Sequence, residues 1–450
     1  MATKIGRTAT SSTNATKFTW SAWVKRANIG SGSMMIYNYL NGDNRAYLQF
    51  QSDDKIYYYD KDGGDIQASL TTTAVYRDPN AFYHICLIGD STDSTQADRI
   101  QLYVNGVRQS MSGTYPDASD SLGMKVHTGT NYHVLGTNSD STSNPFQGIM
   151  SHVHYVDGID YPATTFGSTD STTGEWRINT SPSITASNYG NNGYFVLKDG
   201  NSVTDQSGNS HNFTVTAGTL TKTEDCPNNV FATLNGVFNL SDNVLSYGNT
   251  KALNSNSNWK YVPATLGASS GKFYAEYKVN KSSGYSMVGV VDMEYAVAQD
   301  KNNYTHTAAG TGGVGIYSDN GERYIESNTS GGSTASYAGT FTTGDIIGVA
   351  LDMDNNKVYF SKNGDWANGS GAWGSSTFNS STGAITLPTT GTYTFSVSQR
   401  SGAYNETNFG NGYFGTTQVS SAGTNASSIG IFEYDVPTGY TALSTKGLNE

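Results

Sequence analysis

The stretch GDIIGVALDMDNNKVYFSKNGDW, residues Gly344 to Trp366, predicts two strands joined by a tight turn and followed by a second turn. Apolar residues on alternate positions place one face of each strand in a core: Ile347, Val349, Leu351, Val358 and Phe360. The polar run 353–356 between them suits a turn, and Asn363-Gly364 is the pair that a two-residue hairpin favours. The stretch therefore predicts an antiparallel meander with one face in a core.

The composition extends this prediction to the whole chain. Only 14% of the 450 residues are charged, against about 25% in typical soluble domains. The chain has 51 Gly and 31 Tyr, and Ser, Thr and Asn occur throughout. We find no long stretch with an apolar period of 3.6 residues, whereas aromatic and β-branched runs recur. These features predict an all-β protein, and the length allows two or three domains.

Charge and patterning exclude several classes of partner. The net charge is −11 and no basic patch is visible, so we expect no nucleic acid. No run of 18 apolar residues occurs, so we expect no membrane insertion. The first residues lack an apolar segment, so we expect folding in a cytoplasm without a secretory signal. Cys86 and Cys226 are predicted to be free, and a disulfide-built scaffold is excluded.

An internal repeat divides the chain into two parts. KFTWSAWVKR begins at Lys17 and KFYAEYKVNK begins at Lys272, and both read as aromatic-rich strands. Each is followed by a hairpin with an Asn-Gly turn, at Asn105 in the first part and at Asn363 in the second. The separations are nearly equal, at 88 and 91 positions. The repeat predicts two antiparallel β-sandwiches of jelly-roll type.

The first part resembles laminin-G-like domains of the concanavalin A type. The residues that carry the resemblance are FTWSAWVKR (18–26), AFYHICLIGD (81–90), IQLYVNGV (100–107) and FQGIMSHVHYVDG (146–158). Phe82-Tyr83 stands where that family usually has a Trp before the His, and a Tyr can fill the same core position. The resemblance implies a β-sandwich over residues 17–159, preceded by an N-terminal arm, 1–16, and followed by an irregular linker with short strands, 160–234.

The second part resembles SPRY domains. GKFYAEYKV (271–279) is similar to the first core strand of that family, FTTGDIIGVALDMDNNKVYFSKNGDW (341–366) is the most specific match, and NETNFG (405–410) is similar to its late turn. The resemblance implies a second β-sandwich over residues 235–414, with a C-terminal closing segment, 415–450.

This domain combination resembles virion proteins of tailed phages, notably marine cyanophages, which occur as tail fibres, appendages or adhesins. The resemblance implies a virion protein made in the host cytoplasm. The partners it implies are other virion proteins and a host surface receptor, with a glycan favoured over a protein. It leaves open a head or tail location, the receptor and whether copies of the chain assemble with each other.

An enzymatic alternative depends on paired carboxylates. Some concanavalin-type sandwiches are glucanases, and Asp292 and Glu294 in VVDMEYAV are two positions apart, which would place both on one face of a strand. A retaining mechanism needs two carboxyls about 5 Å apart. The glucanase pattern has a longer acidic spacing than this stretch, and no Ser-His-Asp or Cys-His arrangement is evident. We therefore expect no catalysis, with a concanavalin-type glycan hydrolase as the alternative.

A metal site is a second alternative. The segment YDKDGGD places Asp60, Asp62 and Asp65 in one loop, and calcium prefers several oxygen ligands on a bent backbone. The EF-hand pattern is not met, so a hairpin turn is favoured and the calcium question stays open. His152 and His154 share a strand face by parity, while His84, His127 and His133 are scattered over other strands. We expect neither a metal nor a cofactor.

Aromatic residues in polar surroundings are the best candidates for a binding site. Sugar rings stack on aromatic faces while amides and carboxylates bond their hydroxyls. The predicted ligand-binding residues are Tyr57, Tyr58 and Tyr59 in the first domain and Trp366, Trp373 and Tyr404 in the second. SPRY-type domains present recognition loops at one end, and the resemblance implies that the last three residues lie there. The sequence thus favours a non-enzymatic phage adhesin, with a structural decoration protein as the alternative.

Overall fold

The computed structural model describes residues 2–30, 32–123, 131–198, 202–238, 243–281, 284–294, 312–325 and 333–450. The chain forms two compact units, Met1–Lys222 and Thr223–Glu450. Both are built almost entirely from antiparallel strand pairs, with β34 of the second unit paired in parallel to β20. This confirms the predicted all-β class with two β-sandwich domains. The described residues include the short α-helix Ala186–Tyr189, and no helix among them is long and apolar enough to cross a membrane.

Sixteen strands make up the described part of the first unit. They are β1 (Lys4–Ala9), β2 (Lys17–Arg26), β3 (Met34–Asn41), β4 (Asn44–Phe50), β5 (Ile56–Asp62), β6 (Asp65–Thr72), β7 (Tyr83–Asp90), β8 (Ile100–Val104), β9 (Val107–Arg108), β10 (Met111–Thr114), β11 (Asn131–Leu135), β12 (Gly148–Asp157), β13 (Gly167–Thr169), β14 (Trp176–Ile178), β15 (Tyr194–Val196) and β16 (Thr214–Ala217).

Two sheets form the first sandwich. An eight-stranded sheet has the order β10-β6-β5-β4-β3-β11-β1-β16, and a six-stranded sheet has the order β15-β12-β2-β7-β8-β9. Their inward faces enclose one apolar core, which includes Trp20, Leu48, Tyr58 and Leu87. Alternate residues of β4 and β5 point away from this core, because successive side chains of a strand lie on opposite faces. That outward face carries the candidate site described below.

The segments predicted as an arm and a linker are parts of this sandwich. β1 lies between β11 and β16 within the eight-stranded sheet, so the predicted arm 1–16 supplies an interior strand. β15 and β16, from the predicted linker 160–234, form an edge of each sheet. Phe166 and Tyr189 bury against the outer side of the six-stranded sheet. The linker prediction is therefore corrected: residues of this segment belong to the first sandwich. The sequence did not show this, because short strands that are far apart in the chain pair through backbone hydrogen bonds, which leave little apolar pattern.

Eighteen strands make up the described part of the second unit. They are β17 (Val244–Ser246), β18 (Lys251–Asn254), β19 (Lys260–Pro263), β20 (Lys272–Asn280), β21 (Tyr285–Asp292), β22 (Val314–Tyr317), β23 (Glu322–Ile325), β24 (Ser333–Ser336), β25 (Ile346–Asp352), β26 (Lys357–Lys362), β27 (Asp365–Ala367), β28 (Trp373–Ser375), β29 (Ile385–Thr386), β30 (Tyr393–Arg400), β31 (Ala403–Asn408), β32 (Tyr413–Phe414), β33 (Thr417–Gln418) and β34 (Thr441–Ala442).

The second sandwich again has two main sheets. The larger has the order β17-β18-β31-β20-β25-β26-β27-β28, with β29 and β34 attached to β26 and β20. The smaller has the order β19-β30-β21-β22-β23-β24. The predicted meander is β25, β26 and β27, and its five alternating apolar residues are all buried in the core. The opposite face of the meander is also buried, because Phe432, Val436 and Tyr440 of the closing segment cover it.

The repeat in the sequence corresponds to a repeat in the structure. β2 and β20 are interior strands of the two sandwiches, each paired on both sides. The two Asn-Gly turns have the positive φ values of a hairpin: 49° and 75° at Asn105 and Gly106, and 51° and 90° at Asn363 and Gly364. Cys86 and Cys226 are free, as predicted.

Candidate functional site

Three tyrosines form a cluster on the outward face of the eight-stranded sheet. Tyr47 of β4 is directly opposite Tyr59 of β5, and Tyr57 lies two residues earlier on β5, opposite Gln49. All three side chains are half-buried. They share this face because odd-numbered positions of β4 and β5 point outward, while Leu48 and Tyr58 point into the core.

The three rings contact each other across the strands. Tyr47 stacks on Tyr59 with ring centroids 5.1 Å apart and an angle of 21° between the ring planes. Tyr57 meets the edge of Tyr47 at 5.8 Å, and its hydroxyl lies 3.0 Å from the hydroxyl of Ser69 on β6. The cluster is thus a pre-ordered aromatic surface, which loses little side-chain entropy when a ligand stacks on it.

The hydroxyls of Tyr47 and Tyr59 stay protonated at neutral pH, because the pKa of each is raised. Burial raises the pKa of Tyr47 strongly, and the neighbouring Tyr57 and Tyr59 raise it further. Burial also raises the pKa of Tyr59, against an opposing effect of the nearby Arg45 guanidinium. These two hydroxyls can therefore donate one hydrogen bond each and accept others, as recognition of a sugar hydroxyl requires.

A polar cleft of about 280 Å³ adjoins the cluster at Tyr47. One wall is formed by the outward side chains of β3 and β4, including Asn38, Arg45 and Gln49, and the other by the loop residues Asn138, Ser139, Asp140 and Asn144. The loop is held in place from two sides. The Ser139 amide donates to Asn38 Oδ1 at 3.2 Å, and Lys4 Nζ of β1 donates to the Ser139 carbonyl at 2.5 Å.

The structure separates the three consecutive tyrosines that the sequence predicted to bind ligand together. Tyr57 and Tyr59 lie on the outward face, but Tyr58 is only 1% exposed and belongs to the core. Its hydroxyl donates to Asp60 Oδ2 at 2.6 Å. The prediction for Tyr58 is wrong, because the two-residue period of a strand sends it to the opposite face.

The prediction that Trp366 is an exposed loop residue is also wrong. Trp366 lies in β27, and only 9% of it is exposed. It packs edge-on against Phe378 at 4.8 Å, and its ring is tilted against that of Tyr274 at 6.4 Å. It faces the side of the larger sheet that the closing segment covers, so it is a core residue of that layer.

Trp373 and Tyr404 lie in strands and far apart. Trp373 is in the edge strand β28, where its indole Nε1 donates to the Thr340 carbonyl at 3.3 Å. Tyr404 is in β31, and Lys251 Nζ lies 3.7 Å from the centre of its ring. Five strand spacings separate β28 from β31, a distance of about 24 Å. The structure does not bring the three predicted residues of the second domain to one site.

The candidate catalytic pair does not share a face. Asp292 is buried at the end of β21, where its Oδ2 accepts a hydrogen bond from the Thr389 hydroxyl at 2.6 Å. Glu294 lies beyond the strand and is exposed. The Glu294 amide donates to Asp292 Oδ1 at 3.0 Å, so Asp292 closes the turn that follows the strand.

A buried Ser-His contact that the sequence did not predict occurs in the first sandwich. Ser21 Oγ lies 2.8 Å from His84 Nε2, and Trp176 Nε1 donates to His84 Nδ1 at 3.0 Å. Because Nδ1 accepts, the proton of the neutral ring is on Nε2, so His84 donates to Ser21 and cannot take its proton. Burial lowers the pKa of His84 to about 3. The contact is a structural link.

The residues considered as candidate metal ligands are also separated. Asp60 is buried and accepts hydrogen bonds from Tyr58 and from the Gly123 amide, whereas Asp65 is exposed. His152 has a positive φ of 50° at a register shift of β12, which breaks the expected parity with His154. Within the residues that the structure describes, no three His, Cys, Asp or Glu side chains are grouped to hold a metal. His127 lies outside the described residues.

Tyr47 and the loop that completes the cleft were not identified from the sequence. Arg45, Tyr47 and Gln49 alternate in the stretch RAYLQF, which is the pattern of a strand with one polar face. That pattern could have drawn attention to Tyr47. Its pairing with Tyr59, and the loop that completes the cleft, depend on strand register and on a segment almost a hundred residues further along the chain.

Comparisons with known proteins agree with both domain types. Residues 4–159 match the concanavalin A-like lectin/glucanases superfamily, in its laminin G form. Residues 272–387 match the SPRY domain. The zebrafish (Danio rerio) Ran-binding protein 9 is 31% identical over 109 residues, which cover 23% of this chain and 15% of that protein. The chain thus spans about 15% of the length of this curated relative.

Two solved structures also show similarity. The SPRY domain of human HERC1 is 18% identical, with a TM-score of 0.27, over 37% of this chain and 91% of that chain. A heptameric SAP-like pentraxin from Limulus polyphemus is 11% identical, with a TM-score of 0.27, over 36% of this chain and 72% of that chain.

Proposed function

We propose that this protein, which combines a concanavalin A-like domain with a SPRY domain, is a non-enzymatic attachment protein that binds a glycan through its first domain. The observation that carries the proposal is the cluster of Tyr47, Tyr57 and Tyr59 beside the polar cleft. Aromatic faces next to amide and guanidinium groups supply the two kinds of contact that a sugar ring uses. The lectin superfamily match over residues 4–159 supports a carbohydrate ligand.

The proposed setting is the surface of a phage particle. Its support is the resemblance of the domain combination to tailed-phage appendages and adhesins. In that setting the protein is made in the host cytoplasm, assembles with other virion proteins and binds a host surface glycan. A structural decoration protein is the alternative, and labelling the protein on intact particles separates the two. A distal position favours attachment, and a position within the head or tail wall favours decoration.

The absence of catalysis is a further part of the proposal. It is supported by the burial of Asp292 and by the exposed position of Glu294 outside the strand. It is also supported by His84, whose Nε2 carries the proton and therefore cannot accept the proton of Ser21. The cleft beside Tyr47 contains one carboxylate, Asp140, among its lining residues. A two-carboxylate mechanism needs a second carboxylate that faces the same cleft, and the described lining residues include no other.

Glycan arrays test the binding site directly. We expect the full chain to bind a defined set of glycans, and Tyr47→Ala and Tyr59→Ala each to weaken binding by about 30-fold, because an aromatic anchor contributes ~2 kcal/mol. Tyr413→Ala is the matched control, since Tyr413 is a half-buried tyrosine of the second domain. Binding that survives both cluster variants would place the site elsewhere, and a chain that binds no glycan would refute the proposal.

A further inference from the structure

The smaller sheet of the SPRY domain carries a second aromatic surface, which includes an arginine. Arg400, Tyr285, Tyr317 and Tyr324 come from the consecutive strands β30, β21, β22 and β23. Tyr285 is directly opposite Arg400. Neighbours in these strands, such as Val288, point into the core, so the four side chains line the outward face. Three strand spacings make this row about 14 Å long.

The rings of this surface contact each other continuously. Tyr317 lies 6.0 Å from Tyr285 and 6.0 Å from Tyr324, measured between ring centroids. Trp259, just before β19, lies 5.8 Å from Tyr317 and 6.4 Å from Tyr285. Trp259 is buried, while the three tyrosines are half-buried. The surface is therefore firmly packed beneath and partly open to solvent.

Arg400 is held on this surface by the aromatic rings around it. Its guanidinium carbon lies 4.3 Å from the centre of the Tyr285 ring and 5.1 Å from that of Trp259. Its Nε is buried and has no hydrogen-bond partner among the residues that the structure describes. In the part of the chain that the structure describes, no carboxylate forms an ion pair with it. The guanidinium therefore keeps unused hydrogen-bonding capacity, which a ligand that supplies an acceptor can take up.

The residue types favour a protein as that ligand. Trp, Tyr and Arg are the residues that most often dominate the binding energy of protein interfaces. Stacking holds the planar guanidinium in one orientation, which prepares it for a two-point contact with a carboxylate. Burial raises the pKa of Tyr317 to about 12, so its hydroxyl keeps its proton and can donate as well.

We propose that the surface formed by Trp259, Tyr285, Tyr317, Tyr324 and Arg400 binds a peptide segment of a partner protein, with an Asp or Glu carboxylate of that segment held by Arg400. Apolar or aromatic side chains of the same segment lie on the tyrosine row. The proposal is independent of glycan binding by the first domain.

Peptide selection, followed by a comparison of each peptide in its acid and amide forms (the twins), tests this proposal. A display library of random 12-residue peptides is selected on the full chain, and each enriched peptide is synthesised with its acid and with the corresponding amide, Glu→Gln or Asp→Asn. Fluorescence anisotropy then gives the Kd of both twins. We expect the acid twin to bind the unmodified chain roughly 10–100-fold more tightly, as for a charge-assisted hydrogen bond.

Variants of the chain test whether Arg400 is the group that distinguishes the acid peptide from the amide peptide. Arg400→Gln should bind both twins equally weakly, and Arg400→Lys should recover part of the preference, because it keeps the charge but loses the planar fork. Lys357→Gln, which removes a half-buried cation from the larger sheet, should bind like the unmodified chain. Thermal unfolding of each variant shows that it is folded. The proposal is overturned if the twins bind alike, if Arg400→Gln keeps the preference, if no peptide is enriched, or if a glycan rather than a peptide loses binding in Arg400→Gln.

Discussion

A buried carboxylate under the closing segment makes the stability of the second domain depend on pH. Glu276 of β20 is fully buried. Its two oxygens accept hydrogen bonds from the amides of Glu433 and Tyr434, both at 2.8 Å. Two longer contacts come from the Tyr274 hydroxyl at 3.2 Å and from Asn408 Nδ2 at 3.4 Å. Glu276 therefore ties the closing segment to an interior strand.

Burial opposes ionisation of this group more strongly than its donors favour it. The pKa of Glu276 rises from 4.5 to about 7, because desolvation outweighs the four hydrogen bonds. The folded state thus holds the proton more tightly than the unfolded chain. The contribution to stability is fully present below pH 4.5 and is lost as the pH rises to about 7. At 1.36 kcal/mol per pH unit the loss is roughly 3 kcal/mol.

The variant Glu276→Gln isolates this effect, because the amide has nearly the same shape and does not ionise. We expect the unfolding free energy of the unmodified chain to fall by roughly 3 kcal/mol between pH 4.5 and 7, relative to the variant. Hydrogen exchange of the amides in residues 430–440, measured at several pH values on the full chain, reports the local opening. Equal pH slopes in the two proteins would show that the four donors fully offset burial, and a rise in relative stability over this interval would show that they outweigh it; either result would refute the reasoning.

Two further predictions concern the core and the absence of catalysis. Phe360→Ala and Trp366→Ala should each lower the unfolding free energy by ~3–5 kcal/mol, because both rings are buried, whereas Tyr404→Ala should change it little. Thermal unfolding compares the three variants, and an unchanged melting temperature for Trp366→Ala would contradict its place in the core. Neither the unmodified chain nor Asp292→Asn with Glu294→Gln should release reducing sugar from a polysaccharide, and hydrolysis that disappears in the double variant would reverse the non-enzymatic proposal.

The sequence predicted the strands of the second domain well where local rules decide them. The alternation of Ile347, Val349 and Leu351 and the turn at Asn363-Gly364 follow from strand parity and backbone sterics, which act within a few residues. The same stretch could not show that Tyr359 and Trp366 are buried. The residues that cover them, including Phe432 and Tyr440, come from a segment more than sixty positions further along the chain.

In the candidate site, too, local patterns were predictable from the sequence and contacts between distant segments were not. Aromatic residues at Tyr57 and Tyr59 could be selected as ligand contacts from sequence, but Tyr58 could be assigned to the core only once the inward parity of β5 was known. Tyr47 was missed, because a single tyrosine in a strand carries no sign of its cross-strand neighbour. Strand register and loop position, which create the cleft, depend on contacts between distant segments.

The position of β1 has a consequence for how the first domain folds. β1 pairs with β16 through Ile5 and Val215, about 210 positions apart in the chain. Closing a loop of that length costs about 3 kcal/mol more conformational entropy than closing a ten-residue hairpin loop. We therefore expect the β1–β16 ladder to form late, after the local hairpins. Until it forms, β1 exposes a row of unpaired backbone groups, and the nascent domain is then most prone to pair with another chain.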